Sequence, residues 1–194
     1  MKLFETLSEK HAWYPECENN IHYYNGWATN KAHAVAKKVI IPCYGVFREW
    51  GISQGNFCAY EAYDLLADLE KALDYLTASP GDEGNFLERR LNQAERDGVT
   101  RNIDLRYFKV TFYKKGTCHI TFHEQEVVDK LNIFCARHKN WLPPCYGRKA
   151  YADMDAEEKA VVDGLHGEGS EGSGAKMYAK VLAKPEYYLA EPSD

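Results

Sequence analysis

Seven side chains between Lys109 and Thr121 offer the most chemistry in this sequence: Lys109, Thr111, Tyr113, Lys114, Thr117, His119 and Thr121. An imidazole set among an ammonium, a phenol and hydroxyls on a rigid sheet suits phosphate binding or acid–base work. In that reading His119 moves the proton, Lys109 or Lys114 steadies a phosphate, and Tyr113 stands beside the ring. The grouping follows from alternation. Phe108, Val110 and Phe112 share one face of a first strand, and Cys118, Ile120 and Phe122 share one face of a second. Pairing these apolar sets sets Tyr113 opposite Thr117 and His119 opposite Thr111. Lys114, Lys115 and Gly116 are left as a three-residue loop with glycine at its left-handed last position. A slip of one residue would set His119 against Phe112 and move it to the apolar side. The polar side of any half-solvated sheet has the same composition, and no partner carboxylate for His119 is evident elsewhere in the chain.

A nucleic-acid groove combines cations with rings on which bases stack. Two stretches have this character. The first holds Trp27, Lys31, His33, Lys37 and Lys38; the second, denser in cations, holds Arg137, His138, Lys139, Trp141, Tyr146, Arg148, Lys149 and Tyr151. The formal net charge of −5 argues against a protein that coats nucleic acid with its whole surface, and leaves room for a local groove.

Other signatures are weaker. His119 and His123 are four apart beside Glu124, but a strand-to-helix boundary separates them, so the zinc pattern of two histidines on one helix face is absent. The six cysteines have no paired zinc spacing, and in a reducing compartment they read as buried thiols. No metal and no cofactor is expected. Gly167, Gly169 and Gly172 spell GxGxxG, but a helix precedes them and Glu168 and Glu171 would repel a pyrophosphate. Leu142-Pro143-Pro144-Cys145-Tyr146 resembles the Pro-Pro-aromatic motif of amino-methyltransferases. That motif needs Asn or Asp where Leu142 has no hydrogen-bonding group.

The elements around the hairpin predict an α+β fold: a small, mainly antiparallel sheet packed by three or four helices. Val39, Ile40 and Ile41 form a short strand stopped by Pro42. Asn56 caps a helix to about Leu76 with a Leu65, Leu66, Leu69, Leu73, Leu76 stripe. A second helix spans 85–97 and ends at Gly98. After the hairpin, a helix over 124–138 buries Val127, Val128, Leu131, Phe134 and Cys135. Another starts at Asp155, packed by Val161, Val162 and Leu165. The expected organisation is an N-terminal segment over 1–24, whose packing on the core is left open between peripheral and integral, one domain over 25–166, a Gly/Ser/Glu linker over 167–174, and a C-terminal strand and tail over 175–194. At 194 residues and 45% hydrophobic content the chain can bury a core. No apolar run reaches the ~20 residues of a membrane span, and the start lacks a signal-peptide core, so a cytoplasmic protein with no membrane partner is expected. The oligomeric state is left open.

YFKVTFYKKGTCHITF, then DKLN, then NWLPPCYGRKAY with DM following, resembles the DUF4942 family of bacterial and phage domains. Its members show a strand ending in Lys-x-Gly-Asn or Lys-x-Gly-Thr, a His two residues on, and a Lys-Leu-Asn helix. NGWATNKAHAVAKKVIIP is similar to the upstream segment, so the resemblance runs from about Asn25 to Tyr151. Thr117 stands where Asn is common. The resemblance implies a setting on phages and mobile elements, beside or fused to DNA methyltransferases, and hence work connected with DNA modification or host defence. It implies no reaction.

The leading expectation is a phage or mobile-element accessory module that binds DNA or a DNA-processing or host-defence protein through Arg137–Tyr151 and the His119 face. One alternative is a nucleotide- or phosphodiester-cleaving enzyme using His119. Another is an anti-defence protein that occupies a host enzyme by its acidic surface.

Overall fold

A computed structural model gives the fold over residues 2–8, 34–47, 55–78, 85–166 and 173–189. The chain divides into two compact units, Met1–Gln125 and Glu126–Asp194. That division falls inside the 25–166 stretch expected as one domain.

The first unit is built on a four-stranded antiparallel sheet of order β1-β4-β3-β2. Its strands are β1 (Lys38–Pro42), β2 (Ile103–Asp104), β3 (Phe108–Tyr113) and β4 (Thr117–Phe122). The hairpin has the register that the alternation predicts: Phe108 opposes Phe122, Phe112 opposes Cys118 and Thr111 opposes His119. Gly116 closes the loop at φ +84°. The phenylalanines of both strands, with Val110, Ile120, Val39 and Ile41, are buried. Burying an apolar side chain of this size contributes about 1.5–3 kcal/mol, so a one-residue slip would forfeit the whole set. On the other side of β4, β1 adds Ile41 opposite Cys118 and Lys38 opposite Thr121.

Helix α1 (Lys2–Ser8) packs on β1 and buries Phe4 and Leu7. Residues 2–8 of the N-terminal segment, whose packing the sequence leaves open, therefore contribute to the core. Helix α2 (Ala59–Thr77) buries Leu66, Leu69, Leu73 and Leu76 and exposes Glu61, Asp64 and Asp68. Its N-cap is Cys58 rather than Asn56, and no side chain of the cap residue serves it. Instead Glu95 Oε2, from the next helix, accepts the Ala59 N–H at 3.3 Å. At its other end Asp74 accepts Arg106 Nη1 at 2.9 Å and the Tyr107 hydroxyl at 2.5 Å, tying the helix to the approach to β3. Helix α3 (Phe86–Arg96) packs on α2 and ends in a Schellman motif. Val99 N–H reaches Ala94 O, Gly98 N–H reaches Glu95 O, and Gly98 takes φ +66°.

The second unit is helical. Helix α4 (Gln125–His138) leads into it, and α5 (Ala156–His166), α6 (Ser173–Ala183) and α7 (Pro185–Tyr188) follow, with a 3₁₀ turn over Tyr151–Asp153. The strand expected over 175–194 is a correction: residues 173–183 form α6. Met177, Tyr178, Val181 and Leu182 repeat at helical spacing, and Met177, Tyr178 and Val181 are buried with Ile133, Tyr146, Met154, Val162 and Tyr188. Ser173 and Gly174 of the expected linker open that helix, and the rest of it, 167–172, lies outside the described residues. Gly174 packs so close to α5 that a Cβ there would stand 2.1 Å from Asp163 Oδ1. Val161, expected in the α5 core, is exposed, and Phe134 on α4 is half-buried with its ring 4.2 Å from His138. Five cysteines, at 43, 58, 118, 135 and 145, are free thiols. Among the described residues no helix is long and apolar enough to cross a membrane.

Candidate functional site

The sheet register arranges the polar face of the first unit in rows. One row runs Lys38–Thr121–Lys109–Asp104 across all four strands; the next runs Ile40–His119–Thr111; the third runs Pro42–Thr117–Tyr113. His119 is half-buried, with the Tyr113 ring 4.5 Å from its own. Arg101, which the sequence reading passed over, sets its guanidinium 5.8 Å from the centre of that Tyr113 ring. Thr111 Oγ1 accepts the Asn102 N–H at 3.0 Å, so this hydroxyl helps hold the turn before β2.

Burial, then the nearby Lys38 ammonium, lowers the His119 pKa from its ordinary value. At neutral pH the ring is therefore an uncharged imidazole, able to accept a proton but poorly suited to neutralise a phosphate. Asp104, the carboxylate of this face, lies in Lys109's row and makes a 3.3 Å contact with His123 Nε2 instead. Lys109 is exposed. Lys114 does not join His119: it leans into a cleft of about 500 Å³ near the end of α3, whose lining includes Arg96 and excludes His119. The expected set of His119, Lys109, Lys114 and Tyr113 is thus split: the His119 and Tyr113 rings are in contact, Lys109 shares their face in the adjoining row, and Lys114 lines the other cleft.

The second unit holds another cleft, of about 410 Å³, where α4 ends. The helix closes in a second Schellman motif, with Trp141 N–H on Ala136 O, Asn140 N–H on Arg137 O, and Asn140 in the left-handed region at φ +55°. That turn sends the chain through Pro143 and Pro144 so that Arg137, on the last turn, and Arg148, beyond the prolines, line the same cleft. Arg137 Nη1 donates to the carbonyl of Leu189, which closes one wall. Between the lining residues Asn140 and Leu142 in the chain, Trp141 is 42% exposed, with Lys139 Nζ 5.1 Å from its ring centre.

Three members of the expected nucleic-acid set take other roles. Tyr146 is a core residue of the second unit. Its ring packs 5.0 Å from that of Tyr178, its hydroxyl pairs with His166 Nε2 at 2.8 Å, and burial raises its pKa. A ring so enclosed is no stacking platform. Lys149 donates to Glu158 Oε2 at 2.8 Å, and Glu158 in turn forms a capping box with Asp155 at the start of α5. Hydrogen bonds from Cys145 and then Lys149 hold the Glu158 carboxyl down to about 2, and the bond to Glu158 raises the Lys149 pKa, so Lys149 stays charged within an ion pair. The Tyr151 hydroxyl donates to Asp163 Oδ2 at 2.8 Å. Lys37 and Lys38 are exposed residues of the first unit, whereas Lys31, His33 and Trp27 lie outside the described residues. Among the described residues no three His, Cys, Asp or Glu side chains gather to hold a metal.

The family described as "Domain of unknown function (DUF4942)" matches residues 1–141. This takes in the first unit and all of α4, and it stops at the Trp141 turn, short of the Tyr151 limit that the motifs suggested. No curated protein and no solved structure matches the chain.

Proposed function

The chain belongs to the DUF4942 family, and on that premise we propose that it is an accessory module that binds nucleic acid without a reaction of its own. It would act in the cytoplasm, in the DNA-modification or host-defence setting of phages and mobile elements. The observation that carries this reading is the second-unit cleft, which places Arg137 and Arg148 together with no carboxylate among its lining residues. The exposed Trp141 beside Lys139 supplies a ring on which a base can stack while the arginines take the phosphates. Three cations engaging a single strand correspond to a logarithmic salt slope of about −2. The acidic whole, at −5, keeps the binding local and modest.

Fluorescence anisotropy of a labelled single-stranded oligonucleotide at several salt concentrations tests it. Arg148→Ala is expected to lower the slope by about 0.7, and Trp141→Ala to weaken binding by about tenfold or more. His119→Ala is expected to change neither. Salt-independent binding, or binding indifferent to Arg148→Ala and Trp141→Ala, removes the reading. Turnover of a nucleotide or nucleic acid that disappears in His119→Ala replaces it with phosphodiester chemistry on the sheet face. Tight capture of a host enzyme, with no nucleic-acid binding, replaces it with inhibition through the acidic surface.

A further inference from the structure

We propose that the first unit carries a separate site for a nucleoside phosphate, in the cleft where the end of α3 and the β3–β4 loop meet the Phe47–Phe57 bridge. Three parts of the fold converge there. The Schellman end of α3 presents Arg96 and turns the chain so that Thr100 follows it along the cleft wall, with the Thr100 carbonyl bound to the Phe112 N–H at 2.8 Å. The hairpin loop contributes Lys114. Its ammonium stands 3.4 Å from where a Cβ on Gly55 would lie, so the bare glycine at φ +79° leaves the lysine room to reach over the cleft. The floor is aromatic: Phe47 and Phe57 pair as an isolated bridge, with ring centres 6.2 Å apart at 63°. Phe57 is buried and packed 5.1 Å from Phe112, whereas Phe47 is half-buried and keeps part of its ring on the cleft.

The charges are distributed unevenly. Glu95 also lines the cleft, but its Oε2 accepts the first N–H of α2, the place an anion would otherwise take. An incoming anion would meet Lys114 from the hairpin loop and Arg96 from α3, whose Nη2 also donates to Gln93 Oε1 at 3.0 Å and keeps its other N–H groups for the ligand, with Asn56 and Thr100 as further polar liners. A forked guanidinium and a point-charge ammonium together suit the several oxygens of a phosphate better than the two of a carboxylate. At about 500 Å³ the cleft falls within the usual range for small organic ligands and is far larger than a phosphate needs. A molecule with an anion at one end and a planar ring at the other fills both halves, the phosphate between Arg96 and Lys114 and the base on Phe47. Either a free nucleotide or the phosphorylated end of a strand has this chemistry.

Calorimetric titration of the full chain with adenosine, guanosine, cytidine and uridine monophosphates, with adenosine, with inorganic phosphate and with a 5′-phosphorylated dinucleotide tests the assignment. At least one monophosphate is expected to bind, with adenosine and phosphate each about tenfold weaker or worse. Lys114→Ala and Arg96→Ala are each expected to weaken the monophosphate by about tenfold or more, the effect of one charge-assisted hydrogen bond. Both side chains are exposed, so the variants are expected to keep the wild-type unfolding midpoint. Binding of the dinucleotide at least as tight as the monophosphate identifies a strand end as the source; weaker binding identifies the free nucleotide. No heat with any monophosphate, equal affinity in both variants, phosphate alone binding as tightly, or loss of binding in Arg148→Ala instead overturns the proposal.

Discussion

Acidification should unfasten the second unit through one histidine. His166 ends α5, and its Nε2 meets the buried Tyr146 hydroxyl at 2.8 Å. Burial pulls its pKa from 6.5 down to about 4, partly opposed by the nearby Asp163 carboxylate. The unfolded chain therefore binds this proton near pH 6.5, while the folded chain refuses it until about pH 4. Stability from the neutral ring is complete above pH 6.5 and is lost as the pH falls toward 4. The gap is equivalent to about 3 kcal/mol at full titration, of which about 2 kcal/mol falls due by pH 5. The ring is half-buried and keeps some contact with water, so about 1 kcal/mol between pH 7 and pH 5 is the realistic expectation. Urea denaturation followed by circular dichroism at several pH values, on the wild type and His166→Gln, measures it. Glutamine keeps an acceptor for Tyr146 and cannot titrate, and the carboxylates common to both proteins cancel in the difference. Parallel pH profiles, or a wild type that gains stability on acidification relative to the variant, would refute the argument.

Three further substitutions probe the frame around the two clefts. Gly116→Ala forces an alanine to φ +84° and sets its Cβ 3.1 Å from Tyr44 Cε1, though that ring is 59% exposed and can yield. A loss of about 1–2 kcal/mol is expected in thermal unfolding, larger than for Gly98→Ala, where φ is +66° and nothing lies within 4 Å. Equal losses would mean the Tyr44 contact is immaterial. The Tyr178 hydroxyl accepts Gly147 N–H and donates to Lys149 O, both at 2.8 Å, and so clamps the segment that carries Arg148. Tyr178→Phe is expected to cost about 1–3 kcal/mol by leaving both groups unmatched, and to weaken oligonucleotide binding as Arg148 loosens. Unchanged stability would show that water replaces the hydroxyl at no cost.

Local pattern alone specified the hairpin. Two runs of alternating side chains and a glycine in the loop admit one register that buries the three phenylalanines of the hairpin, and that register puts His119 on the polar face. The same kind of information located α2, α3 and α4, because a helix writes its buried stripe and its glycine stop into neighbouring residues. The α6 helix is equally local: Met177, Tyr178, Val181 and Leu182 follow the helical period and bury one stripe, which a strand over the same residues would divide between two faces.

What adjacency does not contain, tertiary structure decided. Cys58, with no capping side chain, begins α2 where the Glu95 carboxylate, 36 positions beyond Ala59, accepts the Ala59 N–H. Nothing near Tyr146 in the sequence shows that α5 and α6 enclose its ring, and nothing near Lys149 shows that Glu158 pairs with its ammonium. Lys114 lies beside His119 in sequence logic, yet it faces the α3 end, because a loop residue is not bound by the strand's alternation. Sequence determines which groups can share a face, since that depends on backbone periodicity. Which groups remain available to a ligand depends on partners brought from far along the chain, and only the folded arrangement selects those.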